Sequence, residues 1–250
     1  MAKKVNYKVV SPDKLSTFLK RFSGVDSTLL VEISEGEIKA KTHTPDNVVV
    51  KFSKMGLNES FDLVSGEDAP IVFGLFNIDK FSGAFKHFGE SSFNLIVEYD
   101  VLDGINVGTR IILRNSKLSI KFDCASYRLF KHITDDLFFN SISNVTETLM
   151  AKFDIDRTTF SKINSVCNVD TDFKLISFAN NGNSISASGK SFDMEIKEDA
   201  EIKTELDITI YKSHLGFVDK EDTSVCVSDD RIVFSSDESE TVTVIGKTED

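Results

Sequence analysis

Histidines, cysteines and paired carboxylates are the residues of this chain best able to do chemistry, and their spacing argues against most of it. His43, His87, His132 and His214 stand far apart, with no His-Glu-x-x-His run to put two imidazoles on one helix face around a zinc ion. Cys124, Cys167 and Cys226 are odd in number and outside any Cys-x-x-Cys pair. That pattern fits reduced thiols in a cytoplasm better than a disulfide framework or a zinc site. No Gly-x-Ser-x-Gly elbow presents a nucleophile, and no Gly-x-Gly-x-x-Gly turn opens a dinucleotide site. Gly246, Lys247 and Thr248 match the end of a phosphate loop, but position 241 is Thr where such a loop needs Gly. Asp135–Asp136 and Asp229–Asp230 read as solvated turns rather than acid–base pairs. The expectation is a protein without catalytic centre, metal or cofactor.

Cations give the stronger signal. Lys14, Lys20, Arg21, Lys80, Lys86, Arg157, Lys162, Lys212 and Lys220 fall on or beside four predicted helices, where Asp219 is the sole acid between the caps. The chain as a whole carries 40 acidic against 29 basic residues, a net charge of −11. A net negative protein is a poor ligand for phosphate on average, but binding depends on where the charges sit. Helix propensity alone would favour Glu as much as Lys, and these helices hold no Glu. The segregation therefore marks a candidate surface for a polyanion.

Those side chains need elements to hold them. Ser11, Pro12 and Asp13 open a helix whose Leu15, Phe18, Leu19 and Phe22 share one face, with Gly24 as its stop. Strands are expected at Leu29 to Ile33, at Ile38 and Ala40 after a Glu35–Gly36 turn, and at Val48, Val50 and Phe52. Residues 54 to 70 read as a polar stretch. After the short strand Ile71 to Phe73, a second helix starts at Asp79, burying Phe81, Ala84, Phe85 and Phe88 before Gly89. Three alternating runs, Phe93 to Val97, Ile111 to Leu113 and Leu118 to Phe122, close this half. The second half repeats the order. A strand (Leu149 to Phe153) leads to a helix capped by Asp156 with Phe160, Ile163 and Val166 inward. A hairpin follows around Asn181–Gly182, then strands at Phe192 to Ile196 and Leu206 to Ile210, and a short helix from Lys212 to Val218. Strands at Val225 to Val227, Ile232 to Phe234 and Val242 to Val244 end the chain. The repeat is one of topology, not of residues.

Between the halves, Leu137, Phe138 and Phe139 follow two acids in a segment that an ordinary linker would keep polar. The expected organisation is residues 1–130 as one domain, 131–146 as a connector and 147–250 as a second domain. Three prolines in 250 residues leave little room for disordered linkers. No apolar run approaches eighteen residues and no apolar leader follows Met1, so neither a membrane span nor a secretory signal is expected.

Two copies of a β-α-β-β-β unit, with two basic helices in each, an apolar connector and an acidic remainder, resemble the sliding clamps that act as DNA polymerase processivity factors. The segments Lys8 to Lys20 (KVVSPDKLSTFLK) and Phe73 to Lys86 (FGLFNIDKFSGAFK) are similar to the strand-then-helix entries of that family, in its phage type. The resemblance implies an α+β fold of two tandem clamp domains, each with two helices on antiparallel sheets, of the proliferating-cell-antigen-like clamp fold. It implies a homotrimeric ring of six domains whose helices face double-stranded DNA without reading its sequence. It also implies DNA polymerase and clamp-loader peptides docking in a groove at Ala40, Val48, Leu137, Phe138 and Phe139, and a location in the cytoplasm, the host's if the protein is viral. Trimer edges are expected at Ile111 to Phe122 and Phe173 to Phe178. The alternative is a β-rich phage structural protein of tail or baseplate, which the charge sorting on helices disfavours.

Overall fold

A computed structural model describes residues 3–34, 36–66, 69–89, 92–130, 145, 147–169 and 173–248. The chain packs as two compact units. The first holds residues 1–42 and 52–134, the second residues 43–51 and 135–250. Residues 43–51 thus belong to the second unit although they lie in the first half of the sequence. Apart from Val145, the connector 131–146 lies outside the described residues.

In the first unit, strand β1 (Lys3–Val9) leads into helix α1 (Pro12–Lys20). Strands β2 (Leu29–Ser34), β3 (Glu37–His43), β4 (Val49–Gly56), β5 (Phe61–Ser65) and β6 (Ile71–Leu75) follow. Helix α2 (Ile78–Gly83) continues as a 3-10 turn over Ala84–Phe88, and β7 (Phe93–Leu102), β8 (Ile105–Arg114) and β9 (Ser119–Asp123) complete the unit. The sheet runs β3-β2-β6-β8-β7-β1-β5, with β9 added to β8. All of its neighbours are antiparallel except β6 and β8, which meet in parallel through Ile71–Asn106 and Val72–Val107.

One face of this sheet is the core. Val5, Tyr7 and Val9 alternate inward on β1 and meet Leu15, Phe18 and Leu19 from the apolar stripe of α1. Phe81, Phe85, Phe88, Phe93 and Phe122 form a ring chain, with centroids 5.3 Å apart for Phe81–Phe85 and 4.5 Å for Phe88–Phe93. Phe is therefore the material that seats the second helix. Gly74 is required by contact: a Cβ there would lie 2.6 Å from the Phe130 ring and 2.8 Å from the Ala125 carbonyl.

The second unit repeats the order. It comprises β10 (Ala151–Ile155), α3 (Arg157–Cys167), β11 (Leu175–Asn181), β12 (Ser184–Gly189), β13 (Phe192–Lys197) and β14 (Glu201–Ile202). Strand β15 (Asp207–Tyr211), a 3-10 helix over Lys212–Phe217, and strands β16 (Thr223–Val227), β17 (Arg231–Ser236) and β18 (Thr241–Gly246) complete it. Each half thus shows nine strands among the described residues, with helices after the first and the sixth. The topological repeat expected from the sequence is present. Its strands form one sheet in the order β14-β10-β16-β17-β18 and another in the order β13-β12-β11-β15. The start of β4 lies beside β18, where the Val48 carbonyl accepts from the Gly246 amide at 2.8 Å. Phe153, Phe160, Ile163, Phe178 and Phe234 lie in the core.

Several expectations shift. Strand β1 is marked in the sequence only through the strand-then-helix entry at Lys8, and strands β5 and β14 carry no alternating apolar run. The N-cap of α2 is Asn77, whose side chain accepts from the Lys80 amide at 2.7 Å, while Asp79 sits within the first turn. Ser11 occupies the N-cap of α1, but its hydroxyl makes no capping bond. The expected edge at Phe173 to Phe178 is corrected: β11 is paired on both sides, by β12 and β15. Strand β8 is also enclosed, whereas β9 pairs along its length with β8 alone among the described residues.

Candidate nucleic-acid interface

Helices α1 and α2 pack together on the first unit's sheet. Their packing follows from sequence: each buries one stripe, so polar positions must face away from the sheet. Lys14, Lys20, Lys80 and Lys86 are all exposed, and Arg21 is half-buried at the C-cap of α1. A groove of about 740 Å³ runs between the helices and is bordered by Lys14, Lys20 and Lys86. Asp13 is the one acidic residue among its described lining residues.

The cations differ in their freedom. Lys14 Nζ lies 3.5 Å from a carboxylate oxygen of Glu59, a solvent-exposed pair that leaves most of its charge available. No described carboxylate lies within ion-pair distance of Lys20, Lys80 or Lys86.

In the second unit the sorting is weaker. Arg157 and Lys162 are exposed on α3. Asp156 caps that helix by accepting from the Thr159 amide at 2.7 Å, and the Arg157 amide donates to Asp222 at 2.8 Å. The amide and hydroxyl of Thr159 hold the Asp156 carboxyl below its usual range. Arg157 therefore begins beside two carboxylates. Lys212 turns inward: its Nζ donates to the Cys167 carbonyl at 3.0 Å and so caps the last turn of α3. Lys220 lies in a bend beyond the 3-10 helix rather than on it. Lys212 and Lys220 are thus not members of a helical basic face.

Of the expected peptide groove, Ala40 is 1% exposed within the first unit's core, so its side chain is packing rather than surface. Val48 is half-buried in the second unit. Leu137, Phe138 and Phe139 lie outside the described residues.

Sequence reasoning missed Lys51, an ion-pair partner buried at 1% exposure. Its Nζ donates to Asp219 Oδ1 at 2.7 Å and to the Phe217 carbonyl at 2.8 Å. Its place in an alternating strand, Val49, Lys51, Ser53, was the available signal, since the inward positions include a charge. The same region holds His214, stacked on Phe217 and edge-on to Tyr211, with its Nδ1 unpartnered among the described residues. Burial lowers the His214 pKa, and the Asp46 carboxylate opposes that shift. Among the described residues no group of three or more His, Cys, Asp or Glu could hold a metal, and no helix is long and apolar enough to cross a membrane.

No protein-family model and no curated protein sequence matches the chain. Solved structures do. One, from Eubacterium rectale and described provisionally as a DNA polymerase III beta subunit, superposes with a TM-score of 0.67 over 99% of this chain at 12% identity. This chain spans 66% of that one's length. At that identity the likeness speaks to architecture: the α+β chain described here has the sliding-clamp fold.

Proposed function

We propose that this chain is a DNA sliding clamp of the phage type, a ring that encircles duplex DNA and tethers a replicative polymerase. The observation that carries the reading is the face of α1 and α2, where Lys20, Lys80 and Lys86 stand without acidic partners among the described residues, in a chain of net charge −11. A clamp must hold a charged rod while sliding along it. Scattered cations facing phosphates, partly through water, give a weak, salt-sensitive and sequence-blind attraction. Base-specific contacts would stall the ring, and no step of this mechanism calls for a reacting side chain. Arg157 and Lys162 would extend the surface in the second unit.

Six domains close such a ring, so two per chain call for a homotrimer. The repeat suggests how copies join. Strand β18, ninth of its half, lies beside the start of β4, fourth of its half. The same rule applied to the other two counterparts joins β9 of one copy to β13 of the next. Strand β13 pairs with β12 alone among the described residues, so both strands have an edge to offer. Polymerase and clamp-loader peptides would dock at the connector, with Leu137, Phe138 and Phe139 as apolar anchors. Light scattering on the eluting protein tests the assembly: three-chain mass is expected, and a stable monomer or an open polymer would overturn the ring.

A further inference from the structure

The solvent face of the first unit's sheet carries three rows of side chains that run across β1, β7, β8 and β9. Residues in register across antiparallel strands share a face, and successive rows lie two residues apart. One row reads Lys4, Glu98, Arg110, Asp123, by the pairings Lys4–Glu98, Glu98–Arg110 and Arg110–Asp123. It is neutralised internally, since Lys4 Nζ lies 2.7 Å from Glu98 and Arg110 Nε lies 3.1 Å from Asp123. The row at the other end reads Lys8, Asn94, Arg114, Ser119. It has the same alternation with neutral polar residues between its cations, and its one acid, Asp62 on β5, stands in register with Lys8 without reaching ion-pair distance.

This row, which lacks the ion pairs of the first, opens onto a groove of about 530 Å³ at the end of the sheet. His87, from the end of the second helix, and Lys117, from the β8–β9 turn, join Lys8 and Arg114 around it. Lys8, His87, Arg114 and Lys117 are exposed, and none has an ion-pair partner among the described residues. None of the described lining residues is acidic. The turn is rigid: Asn115 Oδ1 accepts from the amides of Lys117 at 2.9 Å and Leu118 at 2.8 Å, and the Asn115 amide donates to the Leu118 carbonyl at 3.0 Å. Below it, the stacked rings of Phe88 and Phe93 form a buried floor.

We propose that this groove is a second phosphate-binding surface, which takes the backbone of a nucleic-acid strand outside the helix face. The spacing favours a polymer over a single ion. The backbones of Lys8 and Arg114 stand on strands separated by β7, about 10 Å apart at the usual strand spacing, and with His87 and Lys117 they distribute four cationic or imidazole side chains around the groove, as the successive phosphates of a strand are distributed. The asparagine and serine side chains supply neutral donors to the same oxygens. This reading rests on nucleic acid being the chain's ligand, but not on the ring or the helix face.

The test compares two triple variants of the full chain: Lys8→Gln with Arg114→Gln and Lys117→Gln for the groove, and Lys20→Gln with Lys80→Gln and Lys86→Gln for the helices. Fluorescence anisotropy would follow a 30-base-pair duplex, a 30-nucleotide single strand and a polyglutamate peptide across a salt series. The groove variant should bind nucleic acid at least about tenfold more weakly near 100 mM salt, with the duplex salt slope lower by about 2–3 units. The two strand probes tell which form of nucleic acid the groove prefers, and a loss with either supports the proposal. Unchanged affinity and slope for both would overturn it, and so would an equal loss for polyglutamate, which would mark an acidic-protein site. A loss confined to the helix variant would overturn the groove while leaving the clamp reading intact. A loss confined to the groove variant would keep the groove and overturn the helix face. Should the triple variant melt early, the single reversal Lys117→Glu on the exposed turn serves the same comparison.

Discussion

The two units share one topology and spend their lysines differently. In the first, Lys20, Lys80 and Lys86 extend from two long helical segments and meet no described acid. In the second, Lys51 is buried against Asp219, Lys212 caps α3 through the Cys167 carbonyl, and Arg157 emerges beside Asp156 and Asp222. Two of the second unit's lysines, Lys51 and Lys212, are thus committed to holding its own fold. The first unit can leave its cations free because its second helix is seated by the Phe81, Phe85 and Phe88 rings, a fixing that requires no charge. In the second unit a single 3-10 helix over Lys212–Phe217 stands where α2 and its 3-10 extension stand in the first, and Lys51 and Lys212 tie it in place.

This contrast predicts that the same type of residue has opposite effects in the two units. Lys51→Ala should be the most damaging, because it strands the half-buried Asp219 carboxylate and the Phe217 carbonyl. About 3 kcal/mol of stability should be lost in denaturant unfolding, and a loss below about 1 kcal/mol would mean that water replaces the ammonium. Lys212→Ala should cost about 1.5 kcal/mol through the uncapped Cys167 carbonyl, with little change in DNA affinity. If DNA binding fell while the melting curve stayed put, Lys212 would belong to the interface after all. Lys20→Ala, Lys80→Ala and Lys86→Ala should each move stability by less than about 0.5 kcal/mol, while lowering the salt slope of duplex binding by about one unit apiece.

A pH scan sharpens the comparison from another side. His214 has its folded pKa depressed by burial, so the unfolded chain binds the proton more readily. Its contribution to stability is fully present above the ordinary value of 6.5 and is lost as pH falls from there towards the depressed folded value. Stability should therefore fall between about pH 7 and pH 5, and His214→Phe should flatten that part of the slope. An unchanged slope in the variant would assign the loss to other groups.

How much of this was legible beforehand depends on which forces write a periodic pattern. The apolar stripe of α1, the Phe-rich second helix and the repeated order of elements all follow from burial on one face, and all were readable. Strand β1 was readable too, through Val5, Tyr7 and Val9, but its four lysine and asparagine positions mask the alternation. Strand β5 was not: Phe61 is its single buried residue, and backbone pairing to β1 decides it. For the site, residue type marked the cations but not their partners. Lys14 meeting Glu59, Lys212 meeting Cys167 and Lys51 meeting Asp219 join positions 45, 45 and 168 residues apart, a separation that no local pattern records. The segregation of charge onto helices was also incomplete, since the sheet rows at Lys4 and Lys8 carry cations of their own.

Peptide docking at the connector is the smallest effect expected on the fold. Leu137→Ala should weaken a polymerase tail peptide by about tenfold or more, because one anchor of this kind is worth about 1.5–3 kcal/mol when fully buried, and should leave the assembled mass unchanged. Calorimetry that returned the wild-type affinity would move the docking site away from residue 137.

Topological retention tests the central claim most directly. The protein would be mixed with linear duplex, both ends then blocked with bulky protein caps, and the complex washed at high salt to remove contacts that depend on charge alone. A ring should stay on the capped duplex and come off when an internal cut opens the path. Loss in the wash with the ends still blocked would contradict encirclement.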